Sequence, residues 1–381
     1  MTDTTATGDM QWPQTSTRDP EDVAARLQTW MTHHLGEDAQ PRVSGLCVPQ
    51  GNGLSSETVM FEAEWREDGR ERREQLVARL APEGSAVPVF PVYDLERQFA
   101  VMKTVRERSS VPVPRVYWSE PDSAPLGTPF FVMERIEGRV PPDIMPYTFD
   151  SWLSNATPEQ RRELQDATVD VLAGLHGIDD ASDVFAFLEL DNDGLTPLDR
   201  HIADQRSYYE WVTADGLRSP LLERCFEWLD SHRPEHVGPT VLSWGDARIG
   251  NILYRDFTPA AILDWEMAGL APPEVDVGWL IYMHRFFDDI ALDAGFPGTP
   301  GFLRSSDVIE TYASLTGYEP RDLVFYTMYA ATRHGIIMFR IHRRAMHFGE
   351  AVAPDDVDDM ITHRRALESM LAGTYWEERG L

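Results

Sequence analysis

The chain has 381 residues, a formal net charge of −29 and two cysteines, which is long enough for two lobes around a large buried core. That acidity disfavours nucleic acid or an anionic membrane as a partner; it suits cationic ligands, or serves solubility alone. Two distant cysteines exclude a disulfide framework and point to a reducing, cytoplasmic setting. The Thr- and Asp-rich start lacks a signal-peptide pattern, and no stretch approaches a membrane span.

Residues 1–20 are polar, contain Pro13 and Pro20, and are expected to form a flexible leader. Val23, Leu27, Trp30 and Met31 then fall at helical spacing over Asp22–Leu35. From Pro41 the pattern changes to strands: Val43–Val48, Val59–Trp65 and Gln75–Leu80. The turn between the first two holds Gly51, Gly53, Ser55 and Ser56. Such a turn can lay backbone N–H groups over phosphates, although Asn-Gly is also a common hairpin signal. Arg79 lies near the end of the third strand, and a helix over Asp94–Arg108 carries Glu96 near its start. Ser110–Trp118 reads as extended because of its prolines, and Phe130–Gly138 as a further strand ending in a polar turn.

Beyond this strand the composition favours long helices. Thr157-Pro-Glu-Gln160 is a capping box with Pro at the first helical position, opening a helix that runs to Gly177. His176, near its end, reads as a dipole-satisfied or packed histidine rather than a catalyst. Ser207–Val212 and Leu221–Leu229 are shorter helical candidates, and Val277–Phe287, Asp307–Thr316, Leu323–His347 and Asp355–Leu371 follow as four more. The third of these carries Arg333, Arg340, Arg343 and Arg344, either a solvated basic face or a site for an anionic substrate group.

Between the two helical groups lies Trp244-Gly-Asp-Ala-Arg-Ile-Gly-Asn-Ile-Leu-Tyr254, followed by Ala-Ile-Leu-Asp-Trp-Glu266. Asn251–Tyr254 and Ala260–Leu263 read as a hairpin, which brings Asp246, Asn251 and Asp264 to one end. Two carboxylates and an amide make a hard oxygen site of the kind that holds Mg²⁺ beside a nucleotide triphosphate. A free carboxylate five residues before the amide can orient a substrate hydroxyl and take its proton. Asp and Asn are also common turn residues, so the ordered set carries more weight than any one member.

The order Asp246-x-x-x-x-Asn251, then Asp264, resembles the aminoglycoside phosphotransferase and choline kinase branch of the protein-kinase-like superfamily. Trp244 departs from the His usual at the start of that loop. The resemblance covers the chain from about Ala24 onward. It implies an α+β, bilobal fold: an antiparallel nucleotide-binding lobe over 21–136 and a mainly helical lobe over 137–381. It also implies ATP and Mg²⁺ as cofactors and a small hydroxylated molecule as acceptor. Asp246 would be the base, with Arg248 neutralising the transferred group or merely pairing a carboxylate. Asn251, Asp264 and Glu266 would form the metal shell. The resemblance further implies that Gly51, Gly53, Ser55, Ser56 and Arg79 with Glu96 seat the phosphates. Arg79 stands in for a missing lysine, since Lys103, the only lysine, lies in the helix; an exposed Arg79–Glu96 pair is the alternative. Backbone at Glu134 and Ile136 would meet adenine. Asp276 would cap the next helix and brace the catalytic loop. The acidic charge favours an aminoglycoside-type acceptor; a metabolic kinase for another hydroxylated metabolite, such as a hydroxyacyl-CoA, and a non-catalytic nucleotide-binding module are the alternatives.

Overall fold

The computed structural model describes residues 19–48, 56–82, 87–192, 194 and 196–379. It divides into two compact units, Met1–Ala86 with Tyr117–Arg135, and Val87–Val116 with Ile136–Leu381. Residues 1–18 of the expected leader lie outside the described residues, and Pro20 already begins a helix.

In the first unit, α1 (Pro20–Leu35) is capped by the Asp19 side chain, which accepts from the Glu21 amide. A five-stranded sheet has the order β1-β2-β3-β5-β4. Its strands are β1 (Arg42–Cys47), β2 (Glu57–Glu67), β3 (Arg70–Leu80), β4 (Val116–Glu120) and β5 (Phe130–Glu134). β2 and β3 pair antiparallel from Glu57↔Leu80 to Glu67↔Arg70, so β3 starts earlier than the apolar run suggested. Its charged first half is carried by pairing with β2, whose Val59, Phe61, Ala63 and Trp65 alternate inward. These residues meet Val23, Leu27, Trp30 and Met31 of α1 in one core. The extended reading of 110–118 is in part a strand, since β4 begins at Val116.

The second unit includes α2 (Leu95–Arg108), which the sequence reading placed with the first lobe. Next come α3 (Pro158–His176) with its expected capping box, the short α4 (Ala181–Val184), α5 (Pro197–Val212) and α6 (Pro220–Ser231). α5 begins well before the expected Ser207, because Thr196 and Asp199 form a second capping box around Pro197. Short strands β6 (Val241–Ser243) and β9 (Gly269–Ala271) pair antiparallel, as do β7 (Ile252–Arg255) and β8 (Thr258–Ile262). The helices α7 (Glu274–Asp293), α8 (Ser305–Thr316), α9 (Leu323–His347), α10 (Arg364–Leu371) and α11 (Thr374–Arg379) complete the unit. The helix expected over Asp355–Leu371 is instead a 3₁₀ turn at Val357–Met360 followed by α10. α7 and α9 approach closely at Gly278, where a Cβ would lie 2.9 Å from the Tyr326 Cβ and 3.0 Å from its carbonyl oxygen. No helix among the described residues is long and apolar enough to cross a membrane.

Candidate active site

The loop from Trp244 to Asn251 is anchored from beneath by one carboxylate. Asp276, fully buried in the first turn of α7, accepts from Ser243 Oγ at 2.7 Å, the Trp244 amide at 2.7 Å and the Gly245 amide at 3.0 Å. His176 Nε2 lies 3.1 Å from the same carboxylate, and His176 Nδ1 lies 2.8 Å from the Tyr312 hydroxyl. Burial alone would raise the Asp276 pKa, but hydrogen bonding and charge from His176, then Ser243 and Gly245, hold it below the usual carboxylate range. The bracing role expected for Asp276 is present. The capping role is not: Pro273 is the N-cap residue of α7 and Asp276 sits inside the helix. Gly245 is required where it stands, since its φ is +89° and a Cβ would fall 2.0 Å from the Met267 carbonyl oxygen.

Three side chains fix Asp246. Trp279 Nε1 donates to Oδ1 at 2.8 Å, while Asn251 Nδ2 at 2.6 Å and Arg248 Nε at 3.1 Å donate to Oδ2. Arg248 is held in turn by Asp143, 2.6 Å from its Nη1. Burial works against the Arg248 charge, but Asp246 and Asp143 outweigh it and raise the pKa. The pair also crowds Gly250, where a Cβ would lie 2.3 Å from Arg248 Nη1. Arg248 therefore serves first to position Asp246.

The hairpin does what its sequence suggested. The Leu263 amide donates to the Asn251 carbonyl at 2.9 Å, so Asp264 emerges beside Asn251. Asp264 itself takes a left-handed conformation, φ +59°. Trp244 donates its indole N–H to the carbonyls of Leu263 at 2.9 Å and Asp264 at 3.2 Å, clamping this turn. With Nδ2 turned to Asp246, Asn251 leaves its Oδ1 as a candidate ligand oxygen. Among the described residues no cluster of three or more His, Cys, Asp or Glu forms a ready metal cage. An amide and a carboxylate nonetheless fit Mg²⁺, which takes few protein ligands and fills its shell with water and phosphate oxygens. Glu266, two residues beyond Asp264, lines a cavity of about 500 Å³.

The remaining expected residues belong to both units or lie outside the described residues. Gly51, Gly53 and Ser55 lie outside the described residues. Ser56 is buried, with its hydroxyl lacking a hydrogen-bond partner among the described residues. Arg79 sits on β3 opposite Thr58, whose hydroxyl lies 3.5 Å from its Nη1. Glu134 ends β5 opposite Leu76, while Ile136 and Glu96 belong to the second unit, Glu96 exposed in the first turn of α2. Sequence reasoning missed Trp279 and Asp143, which reach the loop from 33 and 105 residues away. It read His176 as dipole-satisfied or packed, although the capping box and helix length around it were legible.

The model of the phosphotransferase enzyme family matches residues 53–308. Among curated proteins, the chain is 28% identical over 288 residues to acyl-CoA dehydrogenase family member 10 of Mus musculus, covering 71% of this chain. It is 26% identical over 257 residues to acyl-CoA dehydrogenase family member 11 of Homo sapiens, covering 66% of this chain. The chain spans only 25% and 30% of the length of these two relatives. Among solved structures, macrolide 2′-phosphotransferase MphH from Brachybacterium faecium aligns with a TM-score of 0.52 at 18% identity, covering 91% of this chain and 97% of that one. A thermostable mutant of aminoglycoside phosphotransferase APH(4)-Ia, in a ternary complex with ADP and hygromycin B, aligns with a TM-score of 0.54 at 14% identity, covering 91% of this chain and 98% of that one. These likenesses show the fold, a protein-kinase-like one with an antiparallel sheet in the first unit and a helical second unit.

Proposed function

Since the chain belongs to the phosphotransferase enzyme family, we propose that it transfers the γ-phosphoryl group of ATP to a hydroxyl of a small molecule, with Asp246 as the residue that orients the hydroxyl and accepts its proton. The observation that carries this reading is the constellation on Asp246. Trp279, Asn251 and Arg248 fix both of its oxygens, so the carboxylate is aimed before substrate arrives. A module that only bound nucleotide would have no use for a carboxylate held this way.

Asn251 and Asp264 would hold Mg²⁺, which when bound supplies charge neutralisation on the transferred group. The chain's own residues do the rest. Asp246 removes the proton as the oxygen–phosphorus bond forms and the bond to the nucleotide breaks. Arg248 keeps Asp246 in place and adds positive charge beside the site. Trp244 and Asp276 hold the loop and the Asp264 turn in register. In the first unit, Arg79 is the side chain assigned to the nucleotide phosphates.

Incubating the purified protein with ATP, Mg²⁺ and a panel of hydroxylated metabolites, aminoglycosides and macrolides tests the reading, with ³¹P NMR following the phosphate ester. Ester formation that stops with EDTA is the expected result. ATP left intact across the panel, with no Mg²⁺-dependent rise in melting temperature on adding ATP, would contradict it.

A further inference from the structure

Arg333 on α9 is a charge that the phosphotransfer chemistry leaves unused. Its side chain is 1% exposed, and its Nε and Nη1 have no hydrogen-bond partner among the described residues. The guanidinium lies 4.7 Å over the Trp279 ring and 5.6 Å from that of Tyr329. Aromatic faces attract a cation but do not accept its N–H donors. Burying such donors without acceptors is costly, so a ligand that brings the acceptors explains why they are there.

Arg333 lines the same cavity of about 500 Å³ as Glu266, a volume suited to a small molecule. The other charged groups on its walls are Arg97, Asp94, Asp204 and Glu266. Arg97 gives one Nη2 bond to the Leu188 carbonyl at 2.7 Å, and among the described residues its Nε also lacks a partner. Asp94 is spent on capping α2 through the Arg97 amide. Burial pushes the Asp204 carboxyl upward, against the pull of Arg333, towards its neutral form. His201, also on the wall, is held neutral at physiological pH, since burial and then Arg333 lower its pKa to about 3. The two arginines are thus the cations facing the cavity, and Tyr208, Trp211 and Trp265 supply apolar surface.

Trp279 links this cation to the candidate base, because its face carries Arg333 while its Nε1 donates to Asp246. We propose that the cavity selects an acceptor bearing an oxyanion, a carboxylate or a phosphate, which Arg333 binds while the acceptor's hydroxyl lies at Asp246. The placement of the hydroxyl rests on the phosphotransferase reading; the anion site does not. Charge-assisted hydrogen bonds from a buried guanidinium to a carboxylate or phosphate are among the strongest available.

The test is a titration of the full chain without nucleotide, followed by tryptophan fluorescence, since Trp279, Trp211 and Trp265 surround the site. The probes are hexanoate, hexyl phosphate and hexanamide, and the first two distinguish the two sources of the anion. Saturable quenching by at least one anion and none by the amide is expected. Arg333→Gln should weaken anion binding about tenfold or more, and Arg333→Lys should retain part of it. Equal responses to anions and amide in the wild type, a comparison that needs no variant to fold, would overturn the proposal, as would undiminished anion binding in Arg333→Gln. Phosphoryl transfer that favours 1,6-hexanediol over 6-hydroxyhexanoate would also overturn it while leaving the phosphotransferase reading standing.

Discussion

Trp244 stands where the loops that this sequence resembles usually carry histidine. Its buried indole makes one donor serve two carbonyls, those of Leu263 and Asp264. Histidine has a ring N–H of the same kind but a smaller ring, and the extra volume here packs against Trp265, 6.1 Å between centroids. The indole therefore clamps the turn that carries Asp264. Trp244→Phe keeps an aromatic ring and removes the donor, so it should cost about 1–3 kcal/mol in thermal or urea melts. Turnover should fall more than nucleotide affinity, because Asp264 loses its fixed place. An unchanged midpoint and unchanged turnover would show that the indole donor holds nothing.

At the scale of elements, the bracing of the Trp244–Asn251 loop belongs to α3 and α7 together. His176 closes α3, Asp276 lies in the first turn of α7, and four contacts converge on one buried carboxylate. Because the folded-state pKa of Asp276 is depressed, its stabilisation is full above the unfolded value of about 4 and is lost as pH falls through the folded value. Asp276→Asn should cost about 3 kcal/mol at neutral pH, the low end for breaking a buried pair. Its melting-temperature gap from the wild type should narrow below pH ~4. A gap that stays constant down to acid pH would show that the carboxylate charge is not what braces the loop.

These elements also show what the sequence could reveal. The hairpin that gathers Asp246, Asn251 and Asp264 is local, its alternation and turn falling within one short stretch, and the structure places it within two residues at each end. The capping box of α3 was equally legible, since its partners lie three residues apart. Trp279 and Asp143 were not. Each acts through tertiary packing, and a tryptophan within a helical pattern looks the same whether it fills a core or holds a carboxylate. α2 was found as a helix, but its grouping with the second unit depends on contacts that periodicity does not encode.

For the molecule as a whole, the net charge of −29 and the buried Arg333 pull in opposite directions. The surface field acts at long range but is screened within about 8 Å at physiological ionic strength, whereas the guanidinium acts at contact in a desolvated cavity. Selection of the proposed acceptor would therefore rest on the cavity wall, and the overall acidity bears on encounter and solubility. The arginine-rich face of α9 divides in the same way. Arg343 pairs with Asp215 and Arg340 donates to the Pro88 carbonyl at 2.9 Å, while Arg333 is turned inward. The sequence left both readings of that helix open; Arg340 and Arg343 are half-buried on protein partners rather than solvated, and Arg333 is buried.

Everything in the functional account converges on the Asp246 carboxylate. Asp246→Asn preserves size and much of the hydrogen bonding while removing the group proposed to take the proton. Turnover of an accepted substrate and nucleotide affinity, measured on the same folded variant, test that claim most directly. A loss of at least ~10²-fold in kcat, with ATP affinity close to that of the wild type, is the predicted result. Near-normal turnover in Asp246→Asn would contradict the account, because a carboxylate that can be neutralised without cost is not the base.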